Sequence, residues 1–217
     1  MTSSSKLAQP KLFNRIVAAT AAISLVLLLQ HCQSRKSANL ELSERGYQAP
    51  LVMRGGDPYI RALMRTISAS ESNVSRPYWV IYGGKYVKKL DRHPDICERI
   101  SVGPNYGNCS TAAGRYQFIT TTWEEMAERY HPNQHKFLFW ESYSFEPEYQ
   151  DRVIYGWLSD PEAWGVDIPQ LLRDGKIDEV LWLLSGTWTS LGYGIETNSM
   201  SRYLPDIYQE ILQEELQ

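Results

Sequence analysis

From Pro58 the apolar residues Ile60, Leu63, Met64 and Ile67 recur at the spacing of one helix face, which predicts an amphipathic helix over 58 to about 70. Asp57 ahead of Pro58 offers a capping side chain before a proline at the first helical position. Tyr78 to Val87 is rich in β-branched and aromatic residues around Gly83-Gly84, the pattern of a hairpin and hence of a small antiparallel sheet. Thr121, with Glu124 three residues on, predicts a capping box that opens a helix to about Tyr130. Glu146-Pro147 begins another helix, with Tyr149, Val153, Ile154 and Trp157 on its apolar side. Asp167-Ile168-Pro169 starts a short one that Gly175 ends. The stretch from Ile177 to about Leu184 is the most apolar helix and is expected at the centre of the domain. Pro205 onward, with Ile207, Ile211 and Leu212, supplies a last amphipathic helix. Several helices with one short hairpin make an α+β class that is mostly helical, with one small antiparallel sheet.

Ahead of this region, Lys6, Lys11 and Arg15 precede an apolar run over 16–29, as in a secretory segment. The run is shorter than the roughly 20 residues of a comfortable membrane span. Cys32 follows it closely, as a lipid-modified cysteine would, although Gln30 and His31 stand where small residues are expected. Residues 1–32 therefore read as a signal peptide or as a membrane or lipid anchor, with Cys32 the lipidation candidate. Each reading places the domain outside the cytoplasm, in the periplasm or cell envelope, with membrane attachment through the N-terminus in the anchored cases. Residues 33–56 are polar and aperiodic and read as a flexible tether, so the folded domain is expected over 57–217.

Composition adds limits. A chain of 217 residues, 43% hydrophobic and 22% charged, has the make-up of one globular domain with a tail and excludes wholesale disorder. Up to Gly56, seven Lys or Arg stand against Glu41 and Glu44, a balance of +5, so the total of −3 leaves −8 for the remainder. An acidic domain is a poor partner for phosphate backbones, and nucleic acid is not expected as a ligand. Cys97 and Cys109 flank a turn-rich loop and either form a disulfide or lie as separate buried thiols. An oxidising compartment permits the bridge, which in a short loop contributes about 3 kcal/mol. No Cys-x-x-Cys or paired histidines complete a ligand set nearby, so neither a metal nor another cofactor is expected.

The candidate chemistry centres on Glu71, a lone glutamate closing the first helix in Ile67-Ser68-Ala69-Ser70-Glu71-Ser72. A carboxyl at a helix end beside an apolar face can hold its proton near neutral pH and donate it to a glycosidic oxygen. Glu71-Ser72 is followed by Tyr78-Trp79-Val80-Ile81-Tyr82-Gly83-Gly84, then His93-Pro94 and Ser110-Thr111-Ala112-Ala113-Gly114-Arg115-Tyr116-Gln117. Trp188-Thr189-Ser190-Leu191-Gly192-Tyr193-Gly194 closes the series. This ordered set resembles the lambda-endolysin-like lytic transglycosylases of the lysozyme-like superfamily, over most of the chain after Asp57. The resemblance implies a lysozyme-like fold whose small sheet borders a substrate groove, and bacterial peptidoglycan glycan strands as the partner.

It also implies a one-carboxylate mechanism. Glu71 would protonate the bond after N-acetylmuramic acid, then as a base help that sugar's 6-hydroxyl attack its own anomeric carbon, giving a 1,6-anhydro end. Asp91 and Asp95 are the nearest downstream aspartates and read as solvated loop residues. The same fold with Asp91 or another carboxylate as base for water would be a lysozyme-type hydrolase, and loss of the chemistry would leave a non-catalytic peptidoglycan-binding module. Substrate contacts carried over by the resemblance are Tyr78, Tyr116, Gln117 and Tyr193, through aromatic faces and an amide suited to an N-acetyl group. His93 is assigned no catalytic role, and Arg115 is expected to serve a structural ion pair.

Overall fold

The computed structural model describes residues 49–101, 103, 105–133, 143–193 and 199–217. The apolar run, Cys32 and most of the expected tether lie outside them. Helix α1, Pro58–Glu71, is capped by Asp57, whose carboxylate accepts from the Tyr59 amide at 2.8 Å. Its burial is not confined to a stripe: Ile60 and every residue from Ala62 to Ala69 is buried. A helix buried all round belongs to the middle of a core. Ala62, Ser68 and Ala69 make this possible, because small side chains let neighbours close in on every side.

Six further helices follow α1 among the described residues. They are α2, Thr120–Tyr130; α3, Pro147–Leu158; α4, Pro161–Trp164; α5, Ile168–Arg173; α6, Ile177–Leu184; and α7, Leu204–Glu215. Helix α7 packs along α1 through Leu204, Ile207, Tyr208, Ile211 and Leu212. Its end is tied there by Arg65, which binds Glu214 at 2.6 Å and Glu215 at 2.9 Å, and by Arg61, which binds Glu215 at 2.5 Å. The central place expected for α6 thus belongs to α1. Helix α6 buries Ile177, Val180, Leu181 and Leu184 on one side while Trp182 stays 63% exposed, so its apolar content overstates its burial. Helix α5 is capped by Asp167 and is followed by Gly175 at φ +75°, as its sequence predicts. Helix α2 forms without the expected capping box: Ile119 precedes it with no side-chain cap.

The expected hairpin over 78–87 is also corrected. The chain there makes two 3-10 turns, Pro77–Trp79 and Tyr82–Gly84, joined by a single antiparallel bridge between Val80 and Tyr86. Ile81 instead bridges to Ala113. The β-branched and aromatic residues serve the core rather than a ladder, since Tyr78, Val80 and Ile81 are all buried. The small antiparallel sheet is formed by β1, Glu98–Arg99, and β2, Cys109–Ser110, with Glu98 opposite Ser110. The bonded pair Cys97–Cys109, with Cα atoms 5.3 Å apart, closes the loop beside it.

A fully buried polar network ties these pieces to the chain before α1. Asp151 of α3 accepts from the hydroxyls of Tyr78 at 2.9 Å and Tyr116 at 2.6 Å, and from the amides of Val52 at 2.7 Å and Met53 at 3.1 Å. Arg115 donates to the Tyr78 hydroxyl at 2.9 Å, the Ser68 hydroxyl at 3.1 Å and the carbonyls of Ala49 and Pro50 at 2.8 and 3.2 Å. Burial pushes Asp151 above the ordinary carboxylate value, while Arg115 and the donors pull the other way. The tether therefore does not reach Gly56: Ala49, Leu51 and Met53 are buried, held largely through their backbone. Gly114 sits in the same network at φ +75°, where a Cβ would lie 2.2 Å from Gln150 Oε1. That oxygen accepts the Arg115 amide at 2.9 Å, so only glycine fits.

His93 pins the loop before β1. Its Nε2 donates to the Phe118 carbonyl at 2.8 Å, and Nδ1 accepts the Asp95 amide at 3.2 Å, which defines the neutral tautomer. Thr120 donates to Asp95 Oδ1 at 2.7 Å from the first residue of α2. Burial holds the imidazole below its ordinary value, opposed by the Phe118 carbonyl and the Asp95 charge.

Two stability outcomes follow. Asp151→Asn keeps the shape but removes the charge that faces buried Arg115; losing one partner of a buried pair costs about 3–5 kcal/mol. At about 2–4 °C per kcal/mol for a domain of this size, the melting temperature is expected to fall by about 6–20 °C. A shift under about 2 °C would show the charge to be dispensable. For His93, a lowered native value means that the unfolded chain takes up the proton first, so stability is lost as pH falls below about 6.5. Denaturant melts between pH 7.5 and 5 are expected to show a shallower decline in His93→Gln than in the wild type, and equal slopes would remove His93 from that dependence.

Candidate active site

Glu71 is the last residue of α1 and is half-buried. Its placement is set by the residues on either side. Ser72, buried, returns its amide to the Ser68 carbonyl at 2.9 Å and donates its hydroxyl to the Arg115 carbonyl at 2.7 Å. The Ser72 and Ser68 hydroxyls lie 3.2 Å apart, and Ser68 also receives the Arg115 guanidinium. The end of α1 is thereby bolted to the loop 114–117, and the half-buried carboxyl follows a rigid stalk.

The second wall comes from the chain after α6. Trp188 donates its indole N–H to the Tyr116 carbonyl at 3.0 Å, which joins the Trp188 loop to the same 114–117 segment. A 3-10 turn, Thr189–Leu191, then brings the Ser190 hydroxyl onto Glu71 Oε1, to which it donates a hydrogen bond. Ser70 Oγ lies 2.6 Å from Ser190 Oγ. Gly192 turns the chain at φ +102°, with Ser201 packed where a Cβ would be. Tyr193, at φ +64°, follows, 48% exposed as a residue, with its hydroxyl donating to the Asp178 carbonyl of α6 at 3.3 Å. Partial burial, and then the Asp178 charge, hold that phenol above its ordinary value.

The residues carried over from the sequence separate into two groups. Glu71, Gln117 and Tyr193 stand on segments joined by these bonds. Tyr78 and Tyr116 do not present rings to a ligand: both are fully buried with their hydroxyls on Asp151. Burial pushes both phenols well above their ordinary value. Gln117 is half-buried at φ +48°, and its Nε2 donates to the Gly114 carbonyl at 2.9 Å, closing the turn on itself. Its amide therefore shapes the loop. Arg115, expected in a structural ion pair, reaches Asp151 through the Tyr78 hydroxyl. Asp91 is largely exposed beside Arg92, and Asp95 serves Thr120 and His93. Ser70 and Ser190 were not singled out from the sequence; Ser190 entered only as one member of the Trp188–Gly194 block.

A cavity of about 660 Å³ lies elsewhere, between the His93 loop and α2, with Arg92, Asp95, Glu124, Glu125, Glu128 and Tyr143 among its walls. None of the residues carried over as site residues lines it. Among the described residues, no three His, Cys, Asp or Glu side chains come together as metal ligands.

Comparison with known proteins places this geometry. The endolysin family profile matches residues 61–212, from α1 into α7. Bacteriophage lambda lysozyme complexed with a chitohexasaccharide aligns with a TM-score of 0.53 at 22% identity, over 73% of this chain and 97% of that one. A second structure of lysozyme from bacteriophage lambda aligns with a TM-score of 0.52 at 19% identity, over 75% and 97% of the two chains. No curated protein matches the chain significantly. The fold is lysozyme-like, mostly helical with its two-stranded antiparallel sheet. Matched over well more than half its length, and along the whole run that builds the Glu71 site, the chain belongs to the endolysin family.

Proposed function

We propose that this protein cleaves the glycan strands of bacterial peptidoglycan between N-acetylmuramic acid and N-acetylglucosamine, as a lytic transglycosylase. The observation that carries the reading is the Glu71 carboxyl, held by Ser190 at the end of a buried helix where the segments of the ordered motif set meet. Family membership supports it, and so does the chitohexasaccharide bound by lambda lysozyme, a chain of N-acetylated sugars like those of the proposed substrate. Glu71 gives its proton to the glycosidic oxygen as the bond to the anomeric carbon breaks. The muramic acid's 6-hydroxyl oxygen then bonds to that carbon, and the hydroxyl proton returns to Glu71. The product is a 1,6-anhydro end, and the carboxyl is restored.

Tyr193, carried over by the resemblance, suits a sugar face, because the residue is about half exposed while its hydroxyl is anchored. We also propose that the domain works outside the cytoplasm. Lys6, Lys11 and Arg15 ahead of the apolar run, and the bonded Cys97–Cys109 pair, both suit an exported protein.

Glu71→Gln is expected to lower the rate of peptidoglycan clearing by about 10²–10⁴-fold with the melting temperature unchanged, because the amide keeps the shape and supplies no proton. Residual activity within tenfold of wild type would remove Glu71 from the mechanism. Tyr193→Ala is expected to raise KM for soluble glycan chains roughly three- to tenfold, while Tyr193→Phe stays close to wild type. An alanine variant with unchanged KM would exclude the ring as a sugar platform.

A further inference from the structure

We propose that Ser190 is a positioning residue that fixes which oxygen of Glu71 exchanges the proton with the substrate; the proposal rests on the reading of Glu71 as acid and base. A serine hydroxyl carries one hydrogen. Ser190 gives its hydrogen to Glu71 Oε1, so in the 2.6 Å contact between Ser70 and Ser190 the donor is Ser70. The order is Ser70 to Ser190 to Oε1. In this order Oε1 accepts the serine hydrogen, which leaves Oε2 as the oxygen that exchanges the mobile proton. The carboxyl plane cannot rotate without breaking that bond.

Ser190 is itself held on several sides. Its carbonyl accepts from the Ser201 hydroxyl at 3.1 Å, and the buried Leu191 returns its amide to the Trp188 carbonyl at 3.0 Å. Trp188 is in turn bonded to the Tyr116 carbonyl of the segment that grips Ser72. The donor and the acid are therefore placed by the same framework. A proton that must leave and return along one line gains from such placement, since misorientation of a catalytic group by about 1 Å can cost about 10²-fold in rate.

Ser190→Ala, Ser190→Thr and Glu71→Gln should be assayed side by side for kcat and KM on purified peptidoglycan, with melting temperature measured on each. Ser190→Ala is expected to lower kcat by about 10–100-fold with KM within threefold and melting temperature within about 2 °C of wild type. Ser190→Thr, which restores the hydroxyl, is expected to recover kcat to within about threefold of wild type. An inactive Glu71→Gln beside a Ser190→Ala whose kcat stays within threefold of wild type overturns the positioning role alone. A folded Ser190→Thr as slow as alanine, or a loss confined to KM or to melting temperature, overturns it as well. An active Glu71→Gln overturns the reading beneath it.

Discussion

The structure depends on how one buried charge is satisfied. Asp151 has no access to water, so each of its oxygens must find donors inside the protein, and it finds them on three separate parts of the chain. The tyrosine hydroxyls of 78 and 116 come from two of the motif segments, and the amides of 52 and 53 from the stretch ahead of α1. Arg115 supplies the opposite charge and spends its remaining donors on Ser68 and the carbonyls of 49 and 50. A network this complete fixes register, because a shift of any member leaves a buried polar group unpaired.

Glu71 inherits that rigidity without touching the charge. Arg115 reaches it twice, through the Ser68 hydroxyl one turn back and through its own carbonyl on Ser72. The Trp188 indole adds the far wall by binding the neighbouring carbonyl of Tyr116. The Glu71 carboxyl is thus presented by a helix whose every side is packed, and its hydroxyl partner arrives on a turn locked to the same frame. General acid–base chemistry with a single group benefits from this arrangement, since the same atom must be placed for two successive steps.

Helices with strong periodicity and marked ends were legible in the sequence. Asp57-Pro58, Asp167 and Gly175 act locally, and the spacing of Ile207, Ile211 and Leu212 maps directly onto a buried face. Glu71 was legible for the same reason, as the residue at which a helix stops. What was not legible depends on partners distant in sequence. Val80 and Ile81 read as strand because β-branched residues favour pleated surfaces, yet here they fill the core between turns. Residues 49–53 read as tether because their anchorage is through carbonyls and amides, which every residue has. The rings of Tyr78 and Tyr116 were misassigned because a motif match marks a position without stating which way its side chain points. Ser190 carries no composition or periodicity signal at all, and only the folded chain brings it onto Glu71.

In the proposed reaction one carboxyl suffices because the nucleophile belongs to the sugar. Digestion of purified sacculi in oxygen-18 water, followed by mass spectrometry of the released muropeptides, tests it most directly. Intramolecular attack by the 6-hydroxyl leaves no solvent oxygen in the product, so unlabelled 1,6-anhydro ends are expected. Reducing ends carrying one oxygen-18 atom would mean that water is the nucleophile and would contradict the proposed reaction.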